Sequence, residues 1–137
     1  MSRILGLDIG DKRIGVAMSD PTEVLASPLT IIVRTNDNEA IAGILKIIIE
    51  NKVTRVVVGL PRSKEGDIGH QAQKVQSFID TLRPHTTVPL EYRDERLTTV
   101  SAMRLKQEAS TRKLSRKTRY DAMAAAVILQ EYLDEKA

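Results

Sequence analysis

Residues 55–60 read RVVVGL, a run with no polar side chain between Val56 and Leu60. A strand with one face in water alternates polar and apolar residues; an unbroken apolar strand is covered on both faces. A chain containing such a strand has to lay helices over both sides of a sheet, which restricts it to layered α/β architectures.

The flanking patterns supply the rest of the sheet. In RILGLDIGDKRIGVAMSD, Ile4, Gly6 and Asp8 fall on one strand face and Leu5, Leu7 and Ile9 on the other. The turn residues GDK at 10–12 and a second strand at 13–19 make a hairpin. VLASPLTIIVR at 24–34 reads as a third strand, and Pro28 argues for an edge position or a bulge. The TND caps at 35–37 precede a helix in which Ile41, Ile44, Leu45 and Ile48 recur at helical spacing. PRSKEGDIGH at 61–70 predicts a loop, and QAQKVQSFIDTLRP a helix stopped by Pro84. VPLEYRDE is a short strand and LTTVSAMRLKQEA a helix. STRKLSRKTR is a polar, basic connector, and YDAMAAAVILQEYLDEK a closing helix. The order β-β-β-α-β-α-β-α-α over one domain, 1–137, predicts a mixed five-stranded sheet with helices on both faces.

Composition removes several chemistries. Without cysteine there are no disulfides, thiolate metal sites or cysteine nucleophiles, as suits a reducing cytoplasmic setting. His70 and His85 lack ligand spacing, no apolar run would span a membrane, and no export signal is visible. The net charge of +3 is unevenly spread. Arg93 to Arg119 holds nine Lys/Arg against three acids, leaving the rest of the chain acidic. Such a basic segment suits either a polyanion partner or a solvated face.

Three acids stand where acids are costly. Asp8 lies in an apolar strand, Glu95 follows Asp94 at a strand's carboxyl end, and Asp121 opens the Ala-rich helix, on one stripe with Ala124, Ala125 and Ile128. Ligand sites in open α/β sheets form beyond the carboxyl ends of strands, and clustered carboxylates suit Mg²⁺ or Mn²⁺. Each acid also has a structural role open to it. Asp8 can pair with Arg13 across the hairpin, Asp94 can cap a helix, Glu95 can complement that helix's dipole, and Asp121 can follow a Thr118 cap.

Four segments together, LDIGDKRIGVAMSD, VVVGLPRSKEGDIG, YRDERLTTVSAM and RYDAMAAAVILQEYL, resemble the YqgF family, also called RuvX. The DxGxxRxG pattern falls on Asp8, Gly10, Arg13 and Gly15, and GLP on Gly59, Leu60 and Pro61. The DERxTT motif falls on Asp94, Glu95, Arg96, Thr98 and Thr99, and the closing-helix aspartate is Asp121. The resemblance implies an RNase H-like fold and a metal-dependent phosphodiester nuclease. In it Asp8, Glu95 and Asp121 serve as catalytic and metal-binding carboxylates for Mg²⁺ or Mn²⁺. It further implies cytoplasmic processing of the pre-16S rRNA end in ribosome biogenesis, or resolution of four-way DNA junctions. RuvC-type resolvases carry two acids one turn apart near the start of the last helix, whereas AMA follows Asp121 here.

Arg13, Arg96, Arg112, Lys113, Arg116 and Lys117 are the candidate contacts to nucleic-acid phosphates. With Phe78, Tyr92, Tyr120 and Tyr132 the sole aromatics, readout by shape and backbone is expected over base stacking. Partners on this reading are RNA or DNA and pre-ribosomal particles, with no membrane, and the protein acts as a monomer or homodimer. Two other readings stay open. One is a nucleic-acid-binding assembly or transcription factor without turnover. The other is an actin-like ATPase, whose first phosphate motif LDIGDKRIGVA also resembles, although the chain has no P-loop.

Overall fold

The computed structural model describes residues 2–61, 69–94 and 114–136, with side chains of the last segment described from Ala122. Its elements are β1 (Arg3–Ile9), β2 (Arg13–Ser19), β3 (Ala26–Val33), α1 (Asp37–Glu50), β4 (Val53–Leu60), α2 (His70–Leu82), a 3₁₀ turn (Arg83–His85), β5 (Leu90–Asp94) and α3 (Leu114–Lys136). The five strands form one sheet in the order β3-β2-β1-β4-β5. β1, β2 and β3 are antiparallel neighbours, while β4 runs parallel to β1 and β5 parallel to β4. The expected mixed sheet is thus present. The helix expected over 97–109 and the loop tip at 62–68 lie outside the described residues.

The alternation in β1 sorts the core into two layers. Leu5, Leu7 and Ile9 join Val56, Val58 and Leu60 beneath α1 and α2, whose Ile41, Ile44, Ile48, Val75, Phe78, Ile79 and Leu82 fill that side. Ile4, Ala17 and Val57 face the other way, onto Ala124, Ala125, Ile128, Leu129, Tyr132 and Leu133 of α3. Val56, Val57 and Val58 are all fully buried, so β4 is covered on both faces as its sequence requires.

Pro28 fulfils both of its expectations: β3 is an edge strand, and the register against β2 shifts between Val16 and Ala17, where Pro28 pairs. The β2–β3 loop is closed by Asp20, whose carboxylate accepts from the Thr22 hydroxyl and from the backbone N–H groups of Leu25, Val24 and Thr22. These donors hold it well below the usual carboxylate range. The loop is also tied to α3, because the Gln130 amide accepts from Ala26 N–H at 2.8 Å and donates to the Val24 carbonyl at 2.9 Å.

Helix α1 starts where the sequence places its cap. Asn36 is extended, and its side chain accepts from Glu39 N–H at 2.8 Å. Asn36→Ala is expected to cost about 1 kcal/mol, read as a modest fall in the urea midpoint with the slope unchanged.

One expectation needs correction. Residues 114–119 are helical, so Arg116 and Lys117 lie in the first turns of α3 and not in a connector. Thr118 is inside the helix and does not cap it, and Asp121 lies in its third turn. The segment is polar, but Leu, Arg and Lys are good helix formers and no Gly or Pro interrupts them.

Candidate active site

Asp8 is the second-last residue of β1, on the face that α3 covers, and is half-buried. Its neighbours across the sheet are small. Gly15 of β2 pairs directly with it, and the register that aligns Leu7 with Val58 brings Gly59 next on β4. Gly6 precedes it on the same face. Glycine at positions 6 and 15 leaves no side chain on the nearest strand positions of that face.

Gly6 has a second consequence. A Cβ there would lie 2.9 Å from the Leu129 Cβ and 3.0 Å from the Ala125 carbonyl oxygen, inside normal contact. A side chain is absent because α3 rests directly on the strand. Gln130 of α3 holds the first residue of β3, at the sheet end where β1 begins. Asp121 is one turn before Ala125, a step of about 6 Å along the helix, and Asp8 is two residues past Gly6, about 7 Å along the strand.

The parallel strands deliver their carboxyl ends to this side. Gly59 pairs with Arg93 and Leu60 with Asp94. Arg93 crosses to α3, where its guanidinium meets Glu135 and lies 3.8 Å from Glu131. The last turns of β5 and α3 are joined by this charged contact, in which Arg93 is about one-fifth exposed. On the opposite face of β5, against the α1–α2 layer, the Tyr92 phenol is pushed up by burial.

The sequence candidates sort as follows. Asp8 and Arg13 share a sheet face, with Arg13 two residues before Gly15 on β2, toward the hairpin turn. Asp8, Arg13 and Asp94 each take part in an interaction within the fold. Asp121, Arg116 and Lys117 are placed by their backbone on α3. Glu95, Arg96, Arg112 and Lys113 lie outside the described residues. Among the described residues no group of three or more His, Asp or Glu side chains could by itself hold a metal ion. Asp8 is the candidate ligand whose side chain is among the described residues, and a carboxylate oxygen suits a hard cation such as Mg²⁺. No helix of the described residues is long and apolar enough to cross a membrane.

Gly15 and Gly59, which the family motifs mark, gain their place near Asp8 only through strand register. A further residue carries no motif to mark it. Arg34, directly after β3, holds the turn that follows Asp8; its signal was a lone basic residue between an apolar strand and a helix cap.

The architecture is that of the RNase H-like nuclease fold. Thermus thermophilus RuvC superposes with a TM-score of 0.57 at 12% identity over 99% of this chain and 96% of that one; the structure is described as a complex with a Holliday junction substrate. The fowlpox virus Holliday junction resolvase gives 0.57 at 16% identity, covering 98% and 99%. At these identities the likeness concerns the fold. The chain belongs to the RuvX family, described as Holliday junction resolvase, whose profile matches residues 2–135. A Roseiflexus sp. relative named "Putative pre-16S rRNA nuclease" is 48% identical over 98% of this chain and 95% of its own. Relatives of the same name from Desulforudis audaxviator and Clostridium acetobutylicum are 44% and 42% identical, over 98% and 96% of this chain.

Proposed function

We propose that the chain is a divalent-metal-dependent nuclease that hydrolyses phosphodiester bonds in precursor ribosomal RNA. The observation that supports this reading is Asp8, an acid in an apolar strand, paired with Gly15 and on the sheet face that α3 covers. The names of the relatives point to the same substrate.

Asp8, Glu95 and Asp121 are the residues that would hold Mg²⁺ or Mn²⁺. Such an ion supplies Lewis acidity and acidifies bound water. The chain's own contribution is placement. Strand β1 fixes Asp8 on the sheet face that α3 covers. Arg13, on the same face, offers a guanidinium to the nucleic-acid backbone.

Arg116 and Lys117 sit at the helix end where cations are disfavoured by the dipole. A polyanion lying across the first turns of α3 would relieve that arrangement. Replacing both by alanine is expected to weaken RNA binding and to flatten its salt dependence by roughly 1.4 in log–log slope, at about 0.7 per phosphate contact on single strands. Binding titrations between low and physiological salt read this directly.

The test of function pairs purified protein with Mg²⁺, Mn²⁺ or EDTA and with precursor rRNA ends, duplex DNA and four-way DNA junctions. Metal-dependent RNA cleavage supports the proposal. Selective junction cutting would move the assignment to the resolvase reading, which the RuvX family description favours. Binding without cutting of any substrate would leave a nucleic-acid-binding assembly factor. The oligomeric state, the cytoplasmic location and the role of the chain as one catalytic domain belong to the same proposal.

A further inference from the structure

We infer that Arg34 is a positioning residue for Asp8, an inference that rests on the nuclease reading above. Asp8 is followed after one residue by Gly10, where the hairpin turns. That turn is tight: Gly10 N–H donates to the Arg13 carbonyl at 2.9 Å, and a Cβ at Gly10 would lie 2.6 Å from the same oxygen.

Arg34 grips both limbs of the turn. Its backbone N–H donates to the Lys12 carbonyl at 2.9 Å, and its Nη1 donates to the Gly10 carbonyl at 2.7 Å. The rest of the guanidinium is anchored in the opposite layer. Nη2 donates to Asp37 Oδ1 at 2.8 Å and Nε to the same oxygen at 3.3 Å, in the first turn of α1. The guanidinium carbon stands 4.7 Å from the ring centroid of Phe78, a buried residue of α2.

The side chain is only 15% exposed, so these contacts are little screened. One residue thus ties the turn after the Asp8 strand to α1 and α2. A fork of donors above an aromatic face is a task for arginine, since lysine offers a single point charge and no plane. On the far side of the turn Lys74 of α2 lies 3.6 Å from Asp11, a weaker, exposed tie. A carboxylate that must meet a cation and a phosphate together tolerates displacements of only a few tenths of an ångström. Release of the Gly10 carbonyl would let the end of β1 move by more than that.

The experiment uses the full chain with Arg34→Lys, Arg34→Ala and Asp37→Asn. It reads Gly10 amide exchange, the Asp8 carboxyl-carbon shift, calorimetric Mn²⁺ titration, and kcat and KM on the RNA. Both Arg34 variants are expected to lose Gly10 protection, to bind Mn²⁺ about 10–100-fold more weakly and to lose kcat by a like factor with KM unchanged. Asp37→Asn leaves Nη1 on Gly10 and is expected to change each readout by less than about threefold. If Arg34→Ala does not fold, Arg34→Lys carries the test. Folded Arg34 variants with normal Gly10 protection and Mn²⁺ affinity, or with lower thermal stability alone, would overturn the inference. Should the wild type neither bind Mn²⁺ nor cut RNA, the nuclease reading fails by itself. Gly10 exchange and the Asp8 shift then decide the clamp: altered in Arg34→Lys they support it, unaltered they refute it.

Discussion

Asp8→Asn is expected to reduce metal-dependent cleavage by at least about 10²–10³-fold while leaving RNA binding within a few-fold of wild type. The substitution keeps shape and hydrogen-bonding capacity but removes the charge. The amide lessens the desolvation cost of a half-buried carboxylate on an apolar strand, which offsets the weakening of the contact Asp8 makes within the fold, so the variant should melt close to wild type. The pairing of lost turnover with retained stability separates a catalytic carboxylate from one that serves the hairpin. Were Asp8 chiefly an ion-pair partner of Arg13, Asn would lower the melting temperature and leave cleavage per folded molecule intact. Single-turnover assays alongside thermal melts distinguish the two.

Gly6→Ala is expected to be strongly destabilising for the addition of a single methyl group. The added carbon meets the Leu129 Cβ at 2.9 Å and the Ala125 carbonyl at 3.0 Å, and neither is the free end of a flexible side chain. Relief requires α3 to lift off the strand, with the apolar layer of Ile4, Val57, Ile128 and Leu129 opening behind it. Overpacking of this kind costs about 1–3 kcal/mol, or roughly 3–10 °C in melting temperature for a chain of this length. Activity should fall more steeply than stability, because lifting α3 carries Asp121 away from Asp8. A melting temperature within a degree or two of wild type would mean that the helix does not rest on β1.

Much of this fold was legible because local and global signals agree. RVVVGL announced its two-sided burial, β1 its alternation, and Pro28 both an edge and a bulge. Asn36 capped the helix that its position predicts. The start of α3 was not legible. Residues 114–119 are polar enough to look like a connector, and only contact with the sheet further along the helix makes them its first turns. The acids at 8 and 121 stood out as misplaced in an apolar setting. The motifs mark Gly15 and Gly59, but their place near Asp8 follows from register: Gly15 pairs with Asp8, and Gly59 follows the Leu7–Val58 pair. Arg34 was hidden for a related reason: its partners Gly10, Asp37 and Phe78 come from three elements. Glu95 remains a candidate by sequence alone.

The most direct measurement is a crystal structure of the chain soaked in Mn²⁺, with the ion located by its anomalous signal. The account predicts Mn²⁺ coordinated by an Asp8 carboxylate oxygen at about 2–2.5 Å, with Asp121 and Glu95 completing the protein ligands, and no such peak in Asp8→Asn. A crystal in which saturating Mn²⁺ leaves Asp8 paired to Arg13, or in which the ion binds away from β1 and α3, would contradict it.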